Sequence, residues 1–179
     1  CYNDQCQEPK VPVPYTTEYT VPQTSNKVDI LMVVDDSGSM EEEHRKLSQK
    51  LENLITILNS EQIDWQICYT LTHVDERGTN AGKILDWYLQ KEGTKGTSKK
   101  DFAAIGSTVL TSSTPNVSNV FSDTLKTVGV FDYGEGDGNE EPIIATRLAI
   151  GISSNESCFR PDAALTTITV TDEDERSCG

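Results

Sequence analysis

Carboxylates gathered in three short segments are the side chains of this chain best suited to chemistry. Residues 35–43, 132–141 and 172–175 hold 14 of the 29 acidic residues and contain no Lys or Arg. Carboxylates that lack basic partners either raise one another's pKa or bind a cation. Because carboxylate and hydroxyl oxygens are hard ligands, the cation would be Mg²⁺, Mn²⁺ or Ca²⁺. On charge alone, the alternative is an acidic surface that is merely solvated.

The spacing of the first acidic segment favours the cation site over a solvated surface. Asp35, Ser37 and Ser39 alternate along a tight turn that follows an apolar run, and Gly38 would let the turn close. Three oxygen-bearing side chains could therefore point into one space. A helix N-terminus by itself attracts anions, so a cation there needs compensating carboxylates, which Asp35 and Asp172 would supply.

The elements that must position these segments alternate between strand and helix. The apolar run that ends at Asp35 is typical of a parallel strand buried on both faces. Apolar residues spaced by three, four and seven from Met40 to Leu58 predict an amphipathic helix. Further strands are predicted at 64–74, 83–89 and 165–171, helices at 119–128 and 142–152, and a loop with a short helix at 90–119. This order predicts an α/β fold, in which ligands bind beyond the carboxyl ends of the strands.

Composition sets the domain organisation and excludes some partners. A chain of 179 residues suits one domain, predicted at 27–179, preceded by an extended lead-in at 1–26 that carries four of the seven prolines and acts as a tether or a strap. The net charge of −14 would repel a phosphate backbone, so nucleic acid is not expected as a partner. No apolar run approaches the roughly 18 residues of a membrane helix.

Two motifs resemble those of a known family. The segment Asp35-Asp36-Ser37-Gly38-Ser39-Met40 is similar to the DxSxS motif of von Willebrand factor type A (vWA) domains, and Thr171-Asp172 resembles their distal metal-site aspartate. Segments at 64–65, 139–142, 160–163 and 171–177 look like a bacterial exported subgroup. The resemblance covers residue 27 to the end. It implies a Rossmann-like, mostly parallel sheet flanked by helices and truncated after the distal metal-site strand, because a complete domain of this family continues further.

The resemblance also implies a set of site residues. In that family a first-loop aspartate and two serines, a middle-loop threonine and a distal aspartate hold Mg²⁺ or Mn²⁺ directly or through water. The ligands that carry over by motif are Asp35, Ser37, Ser39 and Asp172. The middle loop at 136–141 has no threonine, so Glu140 is expected in its place, with Asn139 as the alternative. The residues expected beside the metal at the partner-binding surface are Asp36, Asn139, Glu141 and Glu173.

The function that follows from this resemblance is metal-ion-dependent adhesion. The divalent cation, Mg²⁺ or else Mn²⁺ or Ca²⁺, would be completed by a carboxylate of a protein partner. The alternative is a structural subunit of an envelope or surface assembly, in which the cation only stabilises the fold. An enzyme is not expected, because a metal-dependent phosphatase would need an aspartate where Ser37 stands and no Gly-x-Ser-x-Gly elbow is present. His44 and His73 are interpreted as satisfied structural or surface histidines.

The first cysteine bears on the cellular location of the protein. A bacterial lipoprotein keeps an acylated cysteine as its first residue after signal-peptide removal, and this chain opens on Cys1. That interpretation predicts an exported protein, at the cell surface, in the outer membrane as a lipoprotein or extracellular, with a lipid on Cys1 as its sole membrane attachment. The alternative is that Cys1 only marks a boundary of the chain.

The four remaining cysteines form an even set that is compatible with oxidised pairs. Cys158 and Cys178 are not expected to pair, because the strand at 165–171 would separate them by about 23 Å. Cys68, in the middle of a strand, is expected to be buried and reduced. Cys6, on the lead-in, is then the expected partner of Cys158 or of a residue beyond the present terminus.

Overall fold

The computed structural model of the chain describes residues 26–37, 40–74, 81–128, 131 and 140–172, with the side chains of 41, 42, 45 and 49–52 left out. The strands of this part are β1 (Lys27–Val34), β2 (Asp64–Leu71), β3 (Tyr88–Gln90), β4 (Phe102–Ala104), β5 (Leu110–Thr111) and β6 (Ala164–Val170). The α-helices are α1 (Glu41–Ser60), α2 (Val117–Val128) and α3 (Pro142–Gly151), with short 3₁₀ helices at Lys99–Asp101 and Ser153–Cys158. None of the described helices is both long enough and apolar enough to cross a membrane.

The main sheet has the strand order β5-β2-β1-β6. β1 runs parallel to both β2 and β6, and the short β5 adds antiparallel to β2. The six residues from Asp29 to Val34 are buried, because an uninterrupted apolar strand needs cover on both faces. The predicted α/β fold with a mostly parallel, Rossmann-like sheet is confirmed, and so is the central position of β1.

Helices cover the sheet on both faces. Alternate β1 side chains such as Met32 join α1 and α2 in the larger core, which also holds the aromatic residues Trp65 and Phe121. The other β1 side chains, Leu31 and Val33, face α3 and contact its alanines. The three-layer arrangement leaves the carboxyl ends of β1, β2 and β6 at one edge of the sheet.

The predicted strand at 83–89 was wrong. Only Tyr88–Gln90 forms a strand, and it pairs with β4 in a separate two-stranded sheet. Trp87 is fully buried, and its ring lies 5.0 Å from that of Tyr69 and 5.8 Å from that of Phe121. The apolar residues of this segment therefore anchor a loop in the core. The predicted loop at 90–119 contains the short helix that was expected, but also β4 and β5, which its polar composition did not indicate.

A disulfide corrects the cysteine predictions. Cys68 is buried as expected, but it is bonded to Cys158, so the expectation of a reduced thiol was wrong. Cys68 lies opposite Leu31 in the register of β1 and β2, so it faces α3. The 3₁₀ helix after α3 returns across that face and brings the two Cα atoms to 6.0 Å. Cys158 therefore does not pair with Cys178, as expected, and the expectation that Cys6 pairs with Cys158 was wrong. Cys6 and Cys178 themselves lie outside the described residues.

A glycine contact fixes the loop after β2 against α3. Gly82 has a φ of +66°, and a Cβ there would lie 2.5 Å from Leu148 Cβ and 2.8 Å from the backbone nitrogen of Ala149. The Asn155 amide donates to the carbonyl of Gly82 at 2.8 Å and to that of Ala149 at 2.8 Å. We expect Gly82→Ala to lower the free energy of unfolding, measured in urea, by about 3 kcal/mol, from left-handed backbone strain plus overpacking.

Gly93 provides the matched control for this substitution. Its φ is +74°, and no heavy atom lies within 4 Å of the Cβ position. Gly93→Ala should therefore lower the free energy of unfolding only by the backbone strain, about 1 kcal/mol. Equal effects of the two substitutions would contradict the close approach of Gly82 to α3.

Candidate functional site

Asp35 is fixed at the carboxyl end of β1 by the neighbouring chain. Its side chain is buried, and its backbone N–H donates to the carbonyl of Val170 at 2.9 Å. Oδ1 of its carboxylate accepts from the backbone N–H of Ser37 at 2.8 Å, a turn that aspartate favours. Oδ2 accepts from the Thr171 hydroxyl at 2.6 Å. The first motif is therefore joined directly to the end of β6, where Thr171-Asp172 lies.

The residues of the two vWA-like motifs come together as far as they are described. Ser37 is half-buried beside Asp35, and Asp172 follows Thr171 and is exposed. Ser39 lies outside the described residues. The structure thus brings Asp35, Ser37 and the Thr171-Asp172 segment to the same edge of the sheet.

Glu140 also lies at this edge, beside the residues that follow β2. The residue is fully buried, forms an isolated bridge with His73, and its Oε2 accepts a hydrogen bond from the Thr72 hydroxyl. Its Oε1 has no hydrogen-bond partner within the described part of the chain. Burial raises the pKa of Glu140 and the Thr72 hydrogen bond opposes that shift, while the nearby charge of Asp35 adds to it. A buried carboxylate oxygen without a donor is suited to receive a cation.

Thr72 is the residue at this edge that the sequence interpretation missed. Its N–H donates to the carbonyl of Val34 at 3.1 Å, and its own carbonyl accepts from the N–H of Glu141 at 3.2 Å. Thr72 therefore ties the start of α3 to β1 across the end of β2. The threonine of the resembled family belongs to a middle loop, which in this chain has none, whereas Thr72 directly follows β2. That position was the available signal, because residues after a parallel strand reach the ligand-binding edge.

His44 and His73 are both buried, which rules out the surface alternative for each. Burial lowers the pKa of His44, and the nearby backbone and carboxylate of Asp35 and the charges of Glu43 and Asp172 oppose that shift. Neither ring nitrogen of His44 makes a hydrogen bond of good geometry to a described residue. His44 is therefore a buried neighbour of Asp35 on the first turns of α1, and its pKa lies below the ordinary value of a histidine.

Of the remaining predicted site residues, some are described by the structure and some are not. Asp36 is half-buried beside Asp35 and electrostatically close to Glu140. Glu141 is half-buried at the start of α3, where Pro142 begins the helix. Asn139 and Glu173 lie outside the described residues. Among the residues that are described, no three His, Cys, Asp or Glu side chains are grouped closely enough to hold a metal ion. Hydroxyl or water ligands would be needed to complete a coordination shell.

No protein-family model, no curated protein and no solved structure matches this chain. What the protein does must therefore be inferred from the side chains gathered at this edge of the sheet. The likeness of residues 35–40 and 171–172 to vWA motifs remains a resemblance of short segments.

Proposed function

We propose that this chain is an exported, vWA-type binding module that holds a divalent cation at the carboxyl edge of its sheet and uses it to bind an acidic residue of a protein partner. The observation that carries the proposal is Glu140. Its fully buried carboxylate has one oxygen without a donor and lies at the edge where Asp35 also sits. Burying an ionised carboxylate is unfavourable unless a positive charge compensates it, and without one the raised pKa of Glu140 favours the protonated form.

The donor set fits a hard cation. The proposed ligands, direct or through water, are Asp35, Ser37, Ser39, Asp172 and Glu140. All of them offer oxygen, which suits Mg²⁺ first and Mn²⁺ or Ca²⁺ next. When bound, the ion supplies a Lewis-acidic position for the partner's carboxylate. Glu140 stands where a neutral threonine is expected in the family, so the ligand set carries one more negative charge and should hold the cation more strongly.

Hydrogen bonds from neighbouring strands orient the two best-fixed carboxylates. Asp35 receives the Thr171 hydroxyl from the end of β6, and Glu140 receives the Thr72 hydroxyl from the end of β2. These hydrogen bonds hold both carboxylates in place before a cation binds, which favours tight binding.

The rim of the site makes partner binding strictly dependent on the ion. Asp36, Glu141 and Asp172 are described at this edge. Asn139 and Glu173, which lie outside the described residues, are next in sequence to Glu140 and Asp172. A carboxylate of a partner would be repelled by this rim unless a divalent cation reversed the local potential. The partner surface therefore combines one inserted carboxylate with groups that hydrogen-bond to acids.

The disulfide supports the proposed location outside the cytoplasm. Disulfides persist in exported proteins and are rare in reducing compartments, and Cys68–Cys158 joins two buried residues of the core. Export agrees with a surface or extracellular location.

A structural role of the cation is the second candidate. The carboxylates of Asp35 and Glu140 also join β1 to β6 and β2 to the segment before α3. A cation between them could stabilise the fold without serving a partner. The two candidates differ in whether loss of the cation changes stability or binding.

Titration of the protein with Mg²⁺ tests the proposal. We expect Asp35→Asn, which keeps the side-chain shape, to weaken Mg²⁺ affinity measured by calorimetry by about 10- to 100-fold. Glu156→Gln removes an exposed carboxylate from the 3₁₀ helix Ser153–Cys158 and should leave the affinity unchanged. Failure of Mg²⁺, Mn²⁺ and Ca²⁺ to bind at millimolar concentration would refute the metal site.

Binding to a carboxylated surface separates the two candidates. The probe is carboxymethylated dextran, compared with the same matrix after amidation, in Mg²⁺ and in EDTA. The adhesive function predicts binding that needs both Mg²⁺ and free carboxylates. If Mg²⁺ stabilises the protein but the protein does not bind the carboxylated matrix, the cation has the structural role instead.

A further inference from the structure

Residues 91–100 concentrate positive charge in an otherwise acidic chain. They hold four of its fifteen basic residues, namely Lys91, Lys95, Lys99 and Lys100, and a single acid, Glu92, whereas the whole chain has 29 acids. All four lysines are exposed. In a chain with a net charge of −14, this segment forms a local region of opposite sign, which can attract an anionic partner that the rest of the chain repels.

Hydrogen bonds fix the path of this segment, which joins β3 to β4. We call the two strands and the segment between them the lysine hairpin. The carboxylate of Asp101 accepts from the backbone N–H of Thr97 at 3.0 Å and from that of Ser98 at 3.2 Å. The side-chain amide of Gln90 donates to the carbonyl of Thr94 at 2.8 Å. The backbone that carries the lysines is therefore held by side chains of the hairpin itself.

The hairpin is also attached to α2. Oδ2 of Asp123 accepts from the backbone N–H of Gln90 at 2.9 Å, and the hydroxyl of Thr124 accepts from that of Tyr88 at 2.8 Å. The ring of Tyr88 lies 4.9 Å from that of Phe131, which follows α2. Because the backbone is fixed before a partner binds, little of its conformational entropy is lost on binding.

The four ammonium groups differ in what they contact. Nζ of Lys91 donates to the carbonyl of Lys100 at 2.7 Å, and Nζ of Lys99 lies 5.3 Å from the centre of the Phe131 ring. The ion pairs within the described part of the chain use basic residues outside the hairpin. The ammonium groups of Lys95 and Lys100 make no hydrogen bond or ion pair with a described residue, so they are available to a partner.

The charge of the whole chain restricts the shape of that partner. Exposed charges act over a Debye length of about 8 Å, so an extended polyanion such as nucleic acid or an anionic membrane would also be repelled by the acidic surface around the hairpin. A short acidic segment of a protein can contact the hairpin alone. The hairpin has no arginine, and ammonium groups bind carboxylates in many orientations. This favours a segment with several carboxylates over one carboxylate held in a fixed geometry.

We propose that the lysine hairpin is a second docking surface of this protein, and that it binds an acidic segment of a partner protein through Lys95 and Lys100. Lys91 and Lys99 add to the positive potential while their ammonium groups stay in contact with the protein. The surface includes none of the proposed metal ligands, so the proposal does not depend on the cation.

Binding of a short fluorescent polyglutamate peptide, measured by anisotropy at low ionic strength in EDTA, tests the proposal on the full-length protein. Lys95→Gln combined with Lys100→Gln should weaken binding about fivefold or more, because two exposed charge contacts are lost. Lys46→Gln combined with Lys83→Gln is the matched control, since it removes the same charge from exposed positions outside the hairpin. This control should change the affinity by less than about twofold. Added salt should weaken binding to the unmodified protein.

A charge-preserving variant completes the test. Lys95→Arg combined with Lys100→Arg should bind within about twofold of the unmodified protein, because both charges remain. No binding by the unmodified protein, or equal weakening by the two glutamine pairs, would overturn the proposal. Binding that appears only after the acids at 132–137 are replaced by amides would also overturn it, because the chain's own acids would then occupy the lysines. Vesicles of phosphatidylglycerol that bind through Lys95 and Lys100 where polyglutamate does not would point to a membrane instead.

Discussion

Removal of the Cys68–Cys158 disulfide is expected to lower the free energy of unfolding by about 4 kcal/mol. The bond joins residues separated by 90 positions, so its loss releases a long loop in the unfolded chain; the entropic model gives about 4 to 5 kcal/mol for loops of this size. Both cysteines are buried, so the effect arises in the core that joins β2 to the segment after α3. The Cys68→Ala and Cys158→Ala double variant, unfolded in urea, provides the measurement.

Reductant provides the control for this prediction. The unmodified protein should lose a similar amount of stability on reduction, whereas the double variant should not respond to reductant through this bond. A double variant as stable as the unmodified protein under oxidising conditions would show that the covalent bond adds nothing to the packing of the two side chains.

Replacement of Arg160 by Met is expected to cost about 3 kcal/mol, because it leaves a buried carboxylate without its cation. The side chain of Asp29 is 2% exposed, and its Oδ1 lies 2.7 Å from Nε of Arg160. Burial lowers the pKa of Arg160, but its hydrogen bonds to Asp64 and Asp29 outweigh that effect and raise the pKa above its ordinary value. The guanidinium also donates to the backbone carbonyls of Val28 and Asp64, so it links the first residues of β1 and β2. Urea unfolding measures the change.

A second ion pair at the foot of the sheet serves as the comparison. Nζ of Lys27 lies 2.6 Å from Oδ2 of Asp162, but the two side chains are 37% and 58% exposed. Lys27→Met should therefore change the free energy of unfolding by less than about 1 kcal/mol. Adding Asp29→Asn to Arg160→Met should recover part of the loss, because no charge is then left buried. If Arg160→Met were no more harmful than Lys27→Met, Asp29 would not depend on Arg160.

The elements that could be predicted from the sequence are those with long, uninterrupted patterns. The apolar run of β1, the helical spacing of α1 and the β-branched run of β6 each match only one type of secondary structure. The segment at 83–89 has a similar apolar content, yet Trp87 is used as a single anchor in the core. β5 has only two residues, too few for any periodicity to show.

The candidate site was predictable in position but not in its partners. Asp35 and Asp172 follow strands and Glu140 precedes a helix, so the α/β pattern alone places them at one edge. Thr72 was missed because it lies outside the three acidic segments at 35–43, 132–141 and 172–175. Cys68 was misjudged because its pairing depends on which face of β2 it occupies and on the return of the chain after α3, and both are tertiary properties. Metal binding itself remains a prediction.

The two buried carboxylates at the two ends of β1 have different electrostatic surroundings. At the foot of the strand, Asp29 is balanced by a positive charge that the chain carries itself. At the other end, Asp35 is equally buried, and no Lys or Arg of the described residues forms an ion pair with it. Asp29 is thus neutralised by an ion pair within the chain, whereas under the proposed function the charge that balances Asp35 would come from the surrounding solution. The ionic composition of that solution would then help to determine the stability of the folded state.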